Sequence, residues 1–90
     1  MRIGPLETDA VAFIAARMCA ADRAEIFATR SDDDTSRVAA ETMAYARLGC
    51  VASWMGEGWD VEPVAVVCAM PLWPGVWSVG MYATDKWMLV

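Results

Sequence analysis

The 90-residue sequence contains no histidine, no asparagine and no glutamine. Without an imidazole group it cannot form a histidine-based catalytic triad, a His-ligated zinc site or a histidine general base. It also lacks any apolar run near the ~20 residues that a membrane span needs. The opening residues Met1 to Leu6 have no apolar core of a signal peptide. We therefore expect a protein that has no membrane span and is not secreted.

Positive charge is scarce as well. Seven basic residues stand against twelve acidic ones, which gives a net charge of −5. Direct binding of nucleic acid needs a basic surface for the phosphates, so the composition predicts no such contact. The acidic run Asp32-Asp33-Asp34 lacks the spacing of an EF-hand loop. We interpret it as a solvated loop that caps a helix.

The cysteines are few and far apart. Cys19, Cys50 and Cys68 contain no C-x-x-C pair, so we predict no metal site. Their odd number, in a sequence without a signal peptide, indicates a reducing compartment and thiols buried among apolar side chains. Because no histidine is available to activate a thiol, we assign no catalytic residue.

Apolar side chains are abundant. Hydrophobic residues make up 58% of the sequence, including five tryptophans and seven methionines. A domain of this size hides only ~60% of the surface of its unfolded chain. We expect one small domain over residues 1–90, with part of its apolar surface facing another chain.

The composition changes near residue 48, from alanine and charged residues to valine, tryptophan, glycine and proline. This change predicts an α+β domain in which residues 1–48 are mainly helical and residues 49–90 form an antiparallel three-stranded meander with the start of a helix. Three helices are predicted. The first is capped by Thr8 or Asp9, and the second covers Ala21–Thr29. The third covers roughly Thr35–Arg47 and stops at Gly49, which serves as its C-cap. The predicted strands are a short N-terminal one over Arg2–Leu6, then Cys50–Met55, Glu62–Met70 and Val76–Tyr82, before a cap at Thr84-Asp85 and a helical turn over 86–90.

Helical periodicity predicts part of the core. Val11, Ile14, Ala15 and Met18 recur at the spacing of one helix face. In the third helix Ala39, Met43 and Ala46 share one side. In the second helix we expect Ile26 and Phe27 to pack and Asp22, Arg23 and Glu25 to face water.

The strand half carries its own signals. The nearly continuous apolar run Val64–Cys68 indicates a strand that is buried on both faces. Turns are predicted at Gly56–Gly58 and at Pro71–Gly75. We expect Tyr82 to be buried with its hydroxyl hydrogen-bonded.

Several segments resemble the GNAT superfamily of acetyltransferase-fold proteins. Glu62–Val66 (EPVAV) is similar to a hairpin segment common in that superfamily. The stretch Pro71–Trp87 resembles GNAT-like internal virion proteins of short-tailed bacteriophages, and so do Ala15–Met18 and Asp22–Glu25. The predicted order of elements is similar to the N-terminal half of that fold. The resemblance implies a phage-encoded protein, located in the virion or in the host bacterial cytoplasm.

The resemblance does not extend to the family's cofactor site. An active GNAT enzyme binds the pyrophosphate of acetyl-CoA on the backbone amides of an R/Q-x-x-G-x-G/A loop that opens a helix. Tyr82–Trp87 stands in this place without paired glycines, and Asp85 would repel a phosphate. The second half of the family fold, with its tyrosine acid, has no counterpart among these residues. We therefore carry over no catalytic residue and expect no cofactor.

These observations predict a non-catalytic, GNAT-like protein that acts through protein–protein interaction as a virion or accessory component. The expected contact, with a protein partner or a second copy of the chain, is a tryptophan-rich strand edge. Its candidate residues are Trp73, Trp77, Val79, Met81 and Trp87. One alternative is an N-acetyltransferase that uses acetyl-CoA once further chain or a partner completes the site. Another is a small acidic inhibitor of a host defence system, of the anti-CRISPR type, whose acidic face occupies a basic groove.

Overall fold

The computed structural model describes residues 2–47, 51–57 and 62–89. The elements in chain order are β1 (Arg2–Pro5), α1 (Thr8–Ala16), α2 (Ala20–Phe27), α3 (Thr35–Arg47), β2 (Val51–Glu57), β3 (Glu62–Trp73), β4 (Val76–Ala83) and a closing 3-10 helix (Asp85–Leu89). The protein is an α+β structure whose helices precede its antiparallel meander, as the change in composition predicted.

The strands in the described part of the chain form one antiparallel sheet in the order β1-β2-β3-β4. Arg2 of β1 lies opposite Gly56 of β2, and Val51 of β2 lies opposite Ala69 of β3. Ala65 of β3 lies opposite Ala83 of β4. The meander therefore occupies three neighbouring positions, with β1 and β4 at the two edges.

Helix α1 supplies one side of the main core cluster. Val11, Ile14 and Ala15 of α1 are buried, and so is Met18 just beyond its end, which confirms burial of the predicted apolar stripe although its last residue lies outside the helix. They pack with α3, β3 and β4, because Val38, Val66 and Tyr82 belong to the same cluster. Ile26, Phe27 and Met43 are partly buried against it, as predicted. The helices thus cover one face of the sheet.

Among the side chains that the structure describes, the opposite face is covered at one end. Ala65 and Ala83 are buried there, and Trp87 of the 3-10 helix packs against their cluster. Val64, Ala65 and Val66 in β3 are fully buried, which confirms two-sided burial for this part of the strand. Further along β3, Val67 and Cys68 are half-buried.

Two predicted turns are wrong in part, because the strands continue through them. Gly56 pairs with both β1 and β3, and a register shift after Met55 accommodates it. Pro71 lies in β3 opposite Trp77. By alternation from the bond between Thr84 and Val64, the Pro71–Trp77 pair is a non-hydrogen-bonded one, so the missing N–H of proline costs no bond to β4.

The predicted cap of α1 is also displaced. Glu7 occupies the N-cap position and its side chain makes no capping bond, while Thr8 begins the helix. Asp34 does cap the start of α3, because its Oδ1 accepts the backbone N–H of Ser36 at 3.0 Å and the hydroxyl of Ser36 at 2.6 Å. The predicted helix end at Gly49, the turn residue Gly58 and the strand start at Cys50 lie outside the described residues.

Candidate functional site: the open edge of β4

Strand β4 has no neighbouring strand on its outer side among the described residues. The N–H of Thr84 is bonded to the carbonyl oxygen of Val64 on the inner side. Because hydrogen-bonded and non-bonded pairs alternate along an antiparallel ladder, the backbone groups of Ala83, Met81 and Val79 point outward. These outward groups determine what the edge can bind.

The chain itself closes the C-terminal end of this edge. The N–H of Cys19 donates to the carbonyl oxygen of Ala83 at 2.8 Å. The N–H of Ala83 donates to the carboxylate of Asp22, also at 2.8 Å. Met18 forms an isolated bridge to Thr84 beside them. Both outward groups of Ala83 are therefore satisfied, and Asp22 does not simply face water as predicted.

The open edge consists of Ser78, Val79, Gly80 and Met81, all of which are exposed. Val79 is 70% exposed and Met81 is 42% exposed. Neither residue has a backbone hydrogen bond to another loop or helix within the described ranges. Exposed N–H and C=O groups on a sheet edge form a template for a further strand.

The predicted contact residues do not all lie together. Val79 and Met81 follow one another on one side of β4, opposite Ala69 and Val67. Trp73 is 61% exposed at the β3–β4 turn, beside exposed Leu72. Trp77 belongs to β4, although its side chain lies outside the description.

Trp87, the fifth predicted contact residue, has a different environment. It lies in the 3-10 helix and is half-buried, packed against the cluster of Val64, Ala65 and Ala83. Its indole therefore covers the sheet at the closed end of β4. Three of the five predicted residues, Trp73, Val79 and Met81, are exposed in the structure.

A cleft of about 450 Å³ opens between α2, α3, β3 and β4. We call it the acidic cleft, because three carboxylates and one guanidinium line it: those of Asp22, Glu25, Glu41 and Arg30. Apolar side chains form the remaining wall, including Ile26, Val38, Val66 and Cys68. Ser78, Gly80, Met81 and Tyr82 of β4 also line it, so the cleft reaches the open edge.

The guanidinium in the acidic cleft already has a partner. Arg30 Nη2 lies 2.6 Å from Glu41 Oε2. The hydrogen bond from Arg30 lowers the pKa of Glu41 below its usual value of 4.5. Asp22 and Glu25 lie on α2 one helical turn apart. The cleft therefore carries more negative than positive charge.

Tyr82 forms the inner wall of the cleft and is buried, as predicted. Its hydroxyl lies 2.8 Å from Thr42 Oγ1. Thr42 donates its single hydroxyl proton to the carbonyl oxygen of Val38 at 2.9 Å, so Tyr82 is the donor of the bond between them. Burial raises the pKa of Tyr82 to about 12.

The backbone amides that follow β4 donate to acceptors of the chain itself. The N–H of Thr84 donates to Val64, and that of Trp87 donates to the carbonyl oxygen of Thr84 at 3.1 Å. The N–H of Lys86 reaches the Thr84 hydroxyl at 3.3 Å. The N–H groups of Thr84, Lys86 and Trp87 are therefore directed inward.

Sequence reasoning missed the acidic cleft. Its residues come from α2, α3, β3 and β4 and have no common spacing in the sequence. The amphipathic pattern of α2 placed Asp22 and Glu25 on a polar face, but it could not show that this face lies beside β4. The bond from Ala83 to Asp22, across 61 residues of chain, makes that connection.

Other candidate sites have little support in the described ranges. No group of three or more acidic or cysteine side chains is arranged to hold a metal ion in these ranges. Cys19 and Cys68 are thiols rather than disulfides, as predicted, but they are half-buried rather than buried. None of the described helices has the length and apolar character to cross a membrane.

No family model matches the chain. No curated protein and no solved structure shows a significant match to it either.

Proposed function

We propose that the protein acts by binding another polypeptide at the open edge of β4. The observation that carries the proposal is the stretch Ser78–Met81, which is exposed on a sheet edge while the adjoining Ala83 is closed by Cys19 and Asp22. Exposed Trp73, Val79 and Met81 add apolar area beside it. A protein that exposes this combination has a site suited to a partner strand or to a second copy of itself.

The proposal includes the GNAT-like, phage-encoded character that the sequence resemblance implies. The order of a strand, three helices and a meander supports it at the level of architecture, and the resemblance over Pro71–Trp87 supports it at the level of sequence. Such a protein would be a virion or accessory component. Immunoblots of purified virions and of infected-host cytosol would test this part, and its absence from both during infection would contradict it.

A non-catalytic role is part of the same proposal. The amides of Thr84, Lys86 and Trp87 already have acceptors in the chain, and Asp85 adds a negative charge beside them. A pyrophosphate would have to displace these bonds. If acetyl-CoA were bound at 100 times its Kd, the fold would gain about 2.7 kcal/mol. We expect no rise in melting temperature with acetyl-CoA, and a clear rise would favour the acetyltransferase alternative.

The binding edge is tested with a matched pair of variants. Val79→Lys places a charge on the open edge, which is how natural edge strands resist pairing. Ala12→Lys makes the same change of charge at an exposed position on α1, outside the lining of the acidic cleft. Light scattering coupled to size exclusion, together with affinity capture from infected cells, should detect a dimer or a stoichiometric partner.

We expect Val79→Lys to abolish that association and Ala12→Lys to retain it. Circular dichroism checks that both variants are folded. A wild-type monomer without any captured partner, or an association that both variants retain, would overturn the proposal.

A further inference from the structure

We infer that the occupant of the open edge is an extended basic segment of a different protein, which adds to β4 as a strand and places a lysine or arginine side chain in the acidic cleft. The inference rests on the proposed binding at β4 and specifies the chemistry of the partner. It joins two features that the fold places side by side, the outward backbone groups of Val79 and Met81 and the carboxylates of α2.

The backbone of β4 sets the length and path of the segment. Backbone N–H and C=O groups point outward at every second residue of β4, ~7 Å apart along the strand. An added antiparallel strand presents its own N–H and C=O groups at the same spacing. Cys19 and Asp22 stop such a strand at Ala83. The segment therefore pairs with the part of β4 between Val76 and Met81, about six residues, and reaches exposed Trp73 at its far end.

The position of α2 explains why the segment should be basic. Asp22 touches the edge of β4 directly through the N–H of Ala83, and Glu25 lies one turn further along the same helix. Both carboxylates line the cleft into which Ser78 and Gly80 of β4 also open. A strand on β4 directs alternate side chains to the two faces of the sheet, so every second one lies on the cleft side.

The cleft also suits the shape of a long cationic side chain. Ile26 and Cys68, which are only half-buried, offer an apolar wall to an aliphatic stem, while Glu25 offers a carboxylate to its charged end. The described lining holds three carboxylates against the one guanidinium of Arg30, which pairs with Glu41 at 2.6 Å, so it keeps a net negative charge. No atom lies within 4 Å of a Cβ built at Gly80, which leaves space beside the strand.

Charge argues against a second copy of the chain at this edge. Two β4 strands placed side by side would bring two acidic clefts together. Each chain also carries a net charge of −5. Like charges at an interface oppose association, whereas a basic segment gains both affinity and association rate from the same groups.

A display selection tests the inference without a known partner. The probe is a library of random linear dodecapeptides, selected against the immobilised wild-type protein. Enriched peptides are then measured individually by fluorescence anisotropy. We expect extended, β-prone peptides rich in lysine or arginine, and we expect about a tenfold loss of affinity when their basic residues become glutamate.

Variants of the protein locate the site. Glu25→Lys replaces a negative charge of the cleft with a positive one at an exposed position. It should lower the affinity for basic peptides about tenfold. Glu7→Lys makes the identical change at the start of α1, away from the cleft, and should bind as the wild type does. Met81→Pro removes an outward N–H from the edge strand and should also weaken binding.

The outcomes separate this inference from the proposed function. Enriched peptides whose binding is lost in Val79→Lys bind at β4. If these peptides carry no excess of basic residues, the inferred basic chemistry of the partner is wrong, while the proposed binding at the β4 edge is retained. If no peptide is enriched and the chain forms dimers that Val79→Lys disrupts, the occupant is a second copy. If basic peptides bind Glu25→Lys and Glu7→Lys equally well, the inference is overturned. If they also bind Val79→Lys with full affinity, the proposed binding at the β4 edge is overturned as well.

Discussion

Tyr82 of β4 donates a hydrogen bond to Thr42 of α3 at 2.8 Å, across 40 residues of chain, and both side chains are buried. The bond links the edge strand to the helix layer inside the core. Tyr82→Phe removes it and should lower the free energy of unfolding by about 1 kcal/mol. Denaturant titration of Tyr82→Phe, Thr42→Val and the double variant gives the coupling between the two hydroxyls. Strictly additive losses would show that the bond contributes nothing.

The alkaline limit of stability should depend on the same tyrosine. Burial raises the pKa of Tyr82 to about 12 in the folded state, against an ordinary value of 10.0. The folded state therefore holds the phenolic proton more tightly than the unfolded state does. The resulting stability is complete below pH 10 and is lost as the pH rises toward 12, by about 2 kcal/mol. Comparing unfolding of wild type and Tyr82→Phe across this range isolates the effect, and parallel curves would contradict it.

The hydrogen bond by which Asp22 closes the β4 edge should contribute measurably to the free energy of unfolding. Asp22→Ala leaves the N–H of Ala83 without its acceptor at 2.8 Å, and we expect a loss of about 1–2 kcal/mol. Glu25→Ala, on the same helix and exposed, should change stability by no more than ~0.5 kcal/mol. Chemical denaturation compares the two, and hydrogen exchange at Ala83 should accelerate in the first variant alone. Equal losses in both variants would mean that the edge bond is not the cause.

The β3–β4 turn depends on one glycine. Gly75 has a φ of 82°, and it follows Pro74 between the paired residues Trp73 and Val76. This geometry fits a proline–glycine turn in which the second residue has positive φ. Gly75→Ala should cost ~1 kcal/mol, whereas Gly80→Ala, in open space and without positive φ, should cost less. Thermal unfolding of the two variants provides the comparison, and an equal cost would contradict it.

The parts of the fold that the sequence predicted are those with local causes. The stripe from Val11 to Ala15 follows from helical spacing, and the start of α3 at Thr35 matches the prediction. Strand ends were less accurate, because Gly56 and Pro71 are conventional turn residues whose place in the sheet depends on neighbouring strands. Local preference cannot anticipate pairing with a distant partner.

The candidate site was predictable only in its exposed part. From the apolar and aromatic residues after Met70, the sequence predicted Trp73, Val79 and Met81 as contact residues, and all three are exposed. The role of Asp22 was not predictable, because an acidic residue on a helix normally faces water and its acceptor role depends on where α2 meets β4. The acidic cleft arises from that same long-range contact.

The pairing of β1 with β2 has a consequence for the order of folding. Arg2 lies opposite Gly56, so all three helices intervene between these two strands in the chain. The β3–β4 hairpin needs only a short loop to close, whereas β1 must close a loop that contains the whole helical half. The edges of the sheet therefore form at different stages: β4 early, from local contacts, and β1 late, after the helices have been placed. Pulse-labelled hydrogen exchange would show protection in β4 before protection in β1.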